Sequence, residues 1–182
     1  MLKRKSFLQA KDGVAAVEFA FIAPIVILMF FGLIELSQGM NCRQRMESVA
    51  GTVADLVAQS TKITDADRTN IFNAAGAIMF PFSDDDMEIV ITSVVDNGTN
   101  NGVGRVAWSE ATANTTARST GSTVPSGELP AGLITGGGSV IMAEVKYTFH
   151  SPAGFIIGQP IEMTGRFFSR PRRSLTVART AT

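Results

Sequence analysis

The most extended apolar stretch of the chain lies near its N-terminus, where residues 19–34 contain no charged side chain. As a helix this stretch would be about 24 Å long, which is shorter than the roughly 30 Å hydrocarbon core of a membrane. Including residues 14–17 and Leu36 makes the length sufficient if Glu18 is tolerated. The pattern therefore predicts a transmembrane helix over residues 14–36.

The helical pattern continues beyond this stretch, but there only one face is apolar. The apolar positions are three or four residues apart, as on one side of a helix; they are Met46, Val49, Ala50, Val53, Leu56 and Val57. One helix is therefore predicted from about residue 14 to 60, and residues 37–62 form its amphipathic continuation. Pro24 is expected to kink this helix, and Gly39 is its expected point of interruption.

Residues 63–182 are expected to form a head on which the helix packs. Thr64 and Asp67 have the spacing of a capping box, at the start of a second helix predicted over 65–79. Pro81 would end that helix.

After the second helix the apolar period changes to two, which is typical of strands. Strands are predicted at 87–95, up to Trp108, at 141–149 and at 161–168, with turn residues at 97–102. Residues 110–138 are poor in large apolar side chains, so they are predicted to be a flexible loop that buries little surface. Helices followed by an antiparallel sheet give an α+β fold class.

The charges are distributed unevenly along the chain. The first 13 residues carry a net charge of +3 and the remaining 169 carry −3, which gives zero overall. Basic residues before a membrane span keep the N-terminus in the cytoplasm, so the head is expected on the periplasmic side. A nucleic-acid partner is not expected, because the basic residues do not form one large patch.

Two ordinary kinds of targeting segment fit the N-terminus less well. A cleaved signal peptide has an apolar region of only about 7–15 residues followed by a small-residue cleavage site, and no such site follows here. An uncleaved signal anchor would explain the basic flank and the apolar run. It would not explain Glu18, because a carboxylate within lipid costs about 3 kcal/mol or more.

A resemblance to a known family accounts for Glu18. Gly13 is followed by Val-Ala-Ala-Val-Glu-Phe, and the wider string DGVAAVEFAFIAPIVILMFFGLIE ends in the pattern F-G-x-x-E. This string resembles the TadE-like pseudopilins of the tight-adherence (Flp, type IVb) pilus. Such proteins have a short basic leader that ends in glycine, and a glutamate fifth in the mature chain, often followed by an aromatic residue such as Phe19.

The resemblance implies a processing route and a set of partners. A prepilin peptidase would remove residues 1–13 on the cytoplasmic side, between Gly13 and Val14, and Glu18 and Phe19 would serve peptidase recognition and assembly. The expected partners are that peptidase, other minor pilins, the major pilin, the inner-membrane assembly platform and membrane lipid. The resemblance also implies a pilin-like head, in a single-pass protein of the bacterial inner membrane that could enter a surface pilus.

Cleavage would give Glu18 a partner. The new α-amino group on Val14 would lie about one helical turn away, and the carboxylate would also favour the positive end of the helix dipole. In an assembly, an unpaired carboxylate in an apolar core is costly, so pairing with an ammonium group, its own or a neighbour's, would set the register between subunits. The other interpretation is an uncleaved anchor presenting a periplasmic binding or scaffolding domain.

The sequence contains no convincing catalytic constellation. His150 is the only histidine, and no nucleophile-elbow, zinc-helix or phosphate-loop pattern is present. The acidic run 84–86 is expected to be a solvated turn. We therefore predict no catalytic, metal-binding or cofactor-binding residue and no enzymatic activity, and an envelope enzyme is the least supported class.

Three further features carry simpler expectations. Glu35 is expected to be a solvated charge at the outer end of the span. Cys42, the only cysteine, is expected to be a small helix residue near the membrane, with pairing between molecules as the alternative. The C-terminal arginines are expected to belong to a charged strand end and a frayed tail, or to contact an acidic partner; they are Arg166, Arg170, Arg172, Arg173 and Arg179.

Overall fold

The protein is described here from a computed structural model that covers residues 13–96, 103–125, 127–130, 132–134 and 137–181. Most of the expected leader, residues 1–12, and the turn predicted at 97–102 lie outside these described residues.

Two helices and seven strands follow one another along the chain. They are α1 (Val14–Ala58), β1 (Lys62–Ile63), α2 (Asp65–Met79), β2 (Met87–Asp96), β3 (Gly104–Ala111), β4 (Thr123–Val124), β5 (Ser139–Phe149), β6 (Ile161–Ser169) and β7 (Ala178–Arg179). Five strands form an antiparallel sheet in the order β4-β3-β2-β5-β6, and β1 pairs with β7 in parallel. The predicted α+β class, with a long N-terminal helix packed on a sheet, is confirmed.

Helix α1 is continuous over its 45 residues. The interruption predicted at Gly39 was wrong, because Gly39 lies inside the helix. A Cβ at this residue would lie 3.6 Å from the ring of Phe149, which is an ordinary contact distance, so the glycine faces β5 and does not end the helix. Pro24 also lies within α1, and the kink expected there stays a prediction.

The outer half of α1 forms one wall of the main core. Its buried positions face side chains of the sheet such as Ile89, Ile91 and Tyr147. The amphipathic face was predicted correctly except at Leu56, which is 36% exposed. Leu56 lies about 100° around the helix from Val57, and Ala54 and Ala58 occupy the core-facing positions instead.

Helix α2 begins at the predicted capping box. The Thr64 hydroxyl accepts a hydrogen bond from the Asp67 N–H at 3.2 Å, and the Asp67 carboxylate accepts one from the Thr64 N–H at 3.0 Å. The bond from the Thr64 N–H, together with one that the Thr64 hydroxyl donates at 2.7 Å, stabilises the ionised carboxylate and lowers the pKa of Asp67. Ile71 and Ala75 are buried against the core.

The segment 110–138 buries more than its composition indicated. Val124 and Leu129 are buried in a second core with Val94 and Val106, on the sheet face away from α1, and β4 pairs with the start of β3. The prediction of a loop that buries little surface was therefore wrong at these positions. Close packing depends on Gly104 here, because a Cβ at this residue would collide with Val94 and Leu129.

The C-terminal residues 174–180, which we call the C-terminal strap, are held along the head. Val177 is buried, and its carbonyl accepts a hydrogen bond from the indole N–H of Trp108 at 2.7 Å. The Leu175 carbonyl accepts a hydrogen bond from the Ser139 N–H at 3.0 Å. The expectation of a frayed tail was therefore wrong.

Most of the C-terminal arginines are bonded within the chain. Arg179 forms ion pairs with Asp65 and Glu110, Arg172 pairs with Asp55, and Arg166 pairs with Glu144. Arg170 donates to the carbonyls of residues 132 and 133. These contacts tie the end of the chain to both helices and the sheet.

Candidate functional site

The expected processing site lies at the first residue of α1. The helix begins at Val14, and Gly13 precedes it without any side-chain cap. No atom lies within 4 Å of the position that a Cβ on Gly13 would occupy. Gly13 and Val14 are both exposed, and cleavage of the peptide bond between them stays a prediction.

Glu18 and Phe19 follow one turn later and are exposed. The first turn of α1 contains no acidic residue, and the favourable effect of the helix dipole is confined to that turn. The dipole is therefore the weaker explanation for Glu18. Pairing of its carboxylate with an ammonium group, on Val14 or on a neighbouring subunit, is the stronger one.

The N-terminal half of α1 presents an apolar surface in which Glu18 is the one charged residue. No residue from 14 to 34 is buried, and the large exposed side chains include Val17, Phe21, Ile22, Ile25, Val26, Ile27, Leu28, Met29, Phe30 and Leu33. Within the described residues, α1 is the one helix long and apolar enough to cross a membrane. Water-soluble surfaces rarely expose apolar patches of this size, so this half of α1 anchors the protein in a membrane.

Glu35 is the residue whose role was predicted wrongly. It is only 1% exposed and is not a solvated charge. Its carboxylate accepts hydrogen bonds from the N–H groups of Phe155 and Ile157, both at 2.7 Å, and from that of Ile156 at 3.3 Å. Consecutive backbone N–H groups that converge in this way form an anion-binding concavity, which we call the Glu35 clamp.

The clamp holds residues 150–160, the β5–β6 loop, against α1. The rings of Phe31 and Phe155 lie 4.9 Å apart between centroids. A Cβ on Gly32 would come within 3.0 Å of Ile156 Cδ1, so the glycine leaves room for that side chain. The phenylalanine, glycine and glutamate of the F-G-x-x-E string thus all contact one loop, which the sequence reveals only as an apolar triplet between two glycines.

The opposite face of the sheet contains an open groove of about 660 Å³. Three of its charged side chains pair with one another, because Glu144 accepts from Arg118 at 2.9 Å and from Arg166 at 2.6 Å. Arg118 also pairs with Glu128 at 2.7 Å, and Lys146 pairs with Glu162 at 3.2 Å. His150 is exposed and does not line this groove. Among the described residues, no group of three or more His, Cys, Asp or Glu side chains is placed to hold a metal ion.

Cys42 lies in the main core and is fully buried. Burial in this apolar environment disfavours the thiolate and raises the pKa of the Cys42 thiol to about 11. The thiol is therefore protonated and inaccessible while the head is folded. Pairing with a second molecule would require this part of the core to open.

The N-terminal features coincide with a match to a known family. Residues 13–55 match the family model described as TadE-like protein. No curated protein and no solved structure gives a match to the chain. The matched segment begins at Gly13 and includes Glu18, Phe31, Gly32 and Glu35. The chain therefore carries a TadE-like segment, consistent with a TadE-like protein of the tight-adherence pilus system.

Proposed function

We propose that this chain is a minor pilin or pseudopilin, which a prepilin peptidase processes after Gly13 and which takes part in assembling or priming a tight-adherence (Flp, type IVb) pilus. The observation that carries the proposal is the family match, which begins at Gly13 and continues through the exposed half of α1. The leader and N-terminus would be cytoplasmic, and the head would lie in the periplasm.

The two halves of α1 suit this role. The exposed half can exchange lipid for the helices of neighbouring subunits without unfolding the head, because the head uses only the other half for its core. The partners would be the peptidase, other minor pilins, the major pilin and the inner-membrane assembly platform. In this role the protein is a substrate and a structural component, and it needs no cofactor and no catalytic residue.

Processing after Gly13 gives a direct prediction. In cells that contain the cognate prepilin peptidase, we expect the membrane-extracted protein to begin at Val14. The Gly13–Val14 bond is exposed and lies at the helix start, where an enzyme can reach the backbone. The measurement is the N-terminal residue of the full-length product, determined with and without the peptidase.

A Gly13→Val variant is the matched control, because it blocks close approach to the backbone and leaves the apolar span unchanged. It is expected to retain its leader in both strains. If the wild-type chain also begins at Met1 in both strains, the pilin route is excluded. An uncleaved single-pass anchor that presents a periplasmic binding or scaffolding domain would then be the better account.

Glu18 gives a second prediction for this function. Glu18→Ala is expected to leave cleavage largely intact but to lower incorporation into the pilus or its priming complex by about tenfold or more. A change of about 1.4 kcal/mol already shifts an equilibrium tenfold, and removing one partner of a buried pair costs about 3–5 kcal/mol because it leaves the other charge uncompensated. The measurement is the processed fraction and the assembled fraction of each variant, by immunoblot of membranes and sheared pili.

Glu47→Ala is the control for this variant. Glu47 is an exposed glutamate on the same helix, and it pairs with Arg43 one turn away, but it lies in the half of α1 that belongs to the head. The Glu47→Ala variant should therefore be incorporated into the pilus or its priming complex as the wild-type chain is. Normal assembly of Glu18→Ala would show that the Glu18 carboxylate does not set the register.

A further inference from the structure

The β5–β6 loop has an apolar tip that the head itself does not cover. Phe155 is 69% exposed and Ile156 is 51% exposed, although both are large apolar residues next to each other in the chain. Scattered exposed apolar residues are ordinary. Two adjacent ones on a loop held in place by three hydrogen bonds form a defined surface.

The position of this tip along α1 is fixed by its contacts. It lies beside Phe31, Gly32 and Glu35, all within the outer end of the predicted span 14–36. At 1.5 Å per residue, Phe31 is about 7 Å below the outer end of that span. The tip is therefore at the depth that apolar side chains of membrane-surface segments reach, about 5–10 Å.

The Glu35 clamp makes this loop suited to an apolar phase. Loops are normally excluded from lipid, because their unpaired backbone N–H groups would lose water without gaining another partner. Here the N–H groups of Phe155, Ile156 and Ile157 are already bonded to the Glu35 carboxylate. The same bonds compensate the carboxylate, which would otherwise be costly at this depth.

We propose that the β5–β6 loop is a second membrane contact of the head, in which Phe155 and Ile156 insert into the interfacial region of the outer leaflet crossed by α1. This inference rests on the membrane anchoring of the proposed function but not on cleavage after Gly13. Lipid is the expected partner of this apolar tip, because the tip is continuous, through Phe31, with the exposed apolar surface of α1. Two contacts fix the orientation of the head on the membrane. With α1 as the single contact, the head would remain free to rotate about the helix axis.

The test uses quenching by brominated lipid, which reaches only fluorophores within the bilayer. The wild-type chain contains one tryptophan, Trp108, which is buried in the head. The full-length Phe155→Trp variant is reconstituted into vesicles of phosphatidylcholine or of its brominated analogue. We expect the added emission to fall at least about twofold in brominated vesicles, because the ring enters the depth range of interfacial side chains.

Leu175→Trp is the matched control. Leu175 is 76% exposed, but its carbonyl bonds Ser139 at the start of β5, and the loop follows Phe149 at the other end. Ser139 and Phe149 are ten residues apart along β5, so Leu175 and the β5–β6 loop are separated by about 33 Å. The emission of Leu175→Trp, like that of Trp108, should therefore be unchanged in brominated vesicles.

A second variant tests the same contact in case Phe155→Trp does not fold. Phe155→Cys carrying a polarity-sensitive nitrobenzoxadiazole dye should fluoresce more strongly in vesicles than Leu175→Cys carrying the same dye, and equal emission from the two would overturn the loop contact. Cys42 is buried with a protonated thiol and does not compete for the dye.

The outcomes separate the loop contact from the proposed function. Quenching of Phe155→Trp equal to that of Leu175→Trp, in a chain that floats with the vesicles, overturns the loop contact and leaves the anchored pilin intact. A chain that does not float overturns both. Selective quenching in a chain that keeps Met1 even when it is made together with the cognate peptidase supports the loop contact and excludes the processed pilin.

Discussion

Replacing Glu35 with alanine is expected to release the β5–β6 loop from α1 and to lower the Tm of the head by about 5 °C or more. The change removes the charged acceptor of three partly buried backbone N–H groups, and a hydrogen bond to a charged group contributes about 1.5–3 kcal/mol. Losing the free energy of these hydrogen bonds shifts the Tm of a domain of this size by several degrees. The measurement is thermal unfolding of the full chain in detergent micelles.

Amide exchange locates the effect. The N–H groups of Phe155, Ile156 and Ile157 should exchange faster in Glu35→Ala, while those in the centre of β5 keep their protection. Glu35→Gln tests whether the charge matters. Glutamine has one acceptor oxygen in place of two, and its amide would point N–H groups at the loop donors, so it should resemble the alanine variant.

Glu47→Ala controls for the loss of a glutamate from α1. Its carboxylate is exposed and forms only an i,i+4 pair with Arg43, and such surface pairs contribute little. It should melt within about 2 °C of wild type. If Glu35→Ala melts as the control does, with unchanged exchange at the loop, the clamp does not stabilise the head.

The Glu35 clamp is a feature that the sequence could not predict, whereas the main helices and strands could be predicted. Periodicity predicted α1, α2 and the four long strands, because each depends on residues close together in the chain. Thr64 and Asp67 revealed their capping box for the same reason. The Glu35 clamp joins residues about 120 positions apart, and neither the helix pattern nor the loop composition carries that pairing.

The short strands were missed for a related reason. β1, β4 and β7 have two residues each, which is too few for a visible alternation. Val124 and Leu129 are among the few large apolar residues of a polar segment, and their burial holds the segment to the second core. Low apolar content therefore lowers the amount of buried surface without deciding whether a segment is held to the core.

The F-G-x-x-E string shows how the resemblance and the structure complement each other. The resemblance places these residues in a family pattern but gives no reason for the glycine or the second glutamate. In the fold, Gly32 makes room for Ile156 and Glu35 binds the loop backbone. Both residues thus act through a partner that lies outside the matched segment 13–55.

Ending the chain at Arg173 is expected to lower the free energy of unfolding of the head by about 3 kcal/mol or more. The truncation removes the C-terminal strap and with it Val177, whose burial contributes about 1.5–3 kcal/mol. It also exchanges the hydrogen bond from the Trp108 indole N–H to the Val177 carbonyl for one to water, and such an intramolecular bond contributes about 0.5–1.5 kcal/mol. The ion pairs of Arg179 with Asp65 and Glu110 are lost as well.

Trp108 reports this change directly, because it is the only tryptophan in the chain. Its emission should shift to longer wavelength in the truncated protein, since removing the strap brings water to the indole. Unfolding of the protein by denaturant in micelles, with the membrane span and the head both present, is monitored by the Trp108 emission. This measurement gives the free energy of unfolding. The single change Val177→Ala should reproduce part of the loss by leaving a cavity and keeping the backbone carbonyl.

A chain that ends at Thr180 separates the strap from mere shortening. It keeps Val177, Arg179 and the pairing of β7 with β1, so its stability and emission should equal those of the full chain. A truncation at Arg173 that stays within about 0.5 kcal/mol of wild type, the range of ordinary surface changes, would mean that the strap covers the head without stabilising it. The head would then be held by α1, α2 and the five-stranded sheet alone.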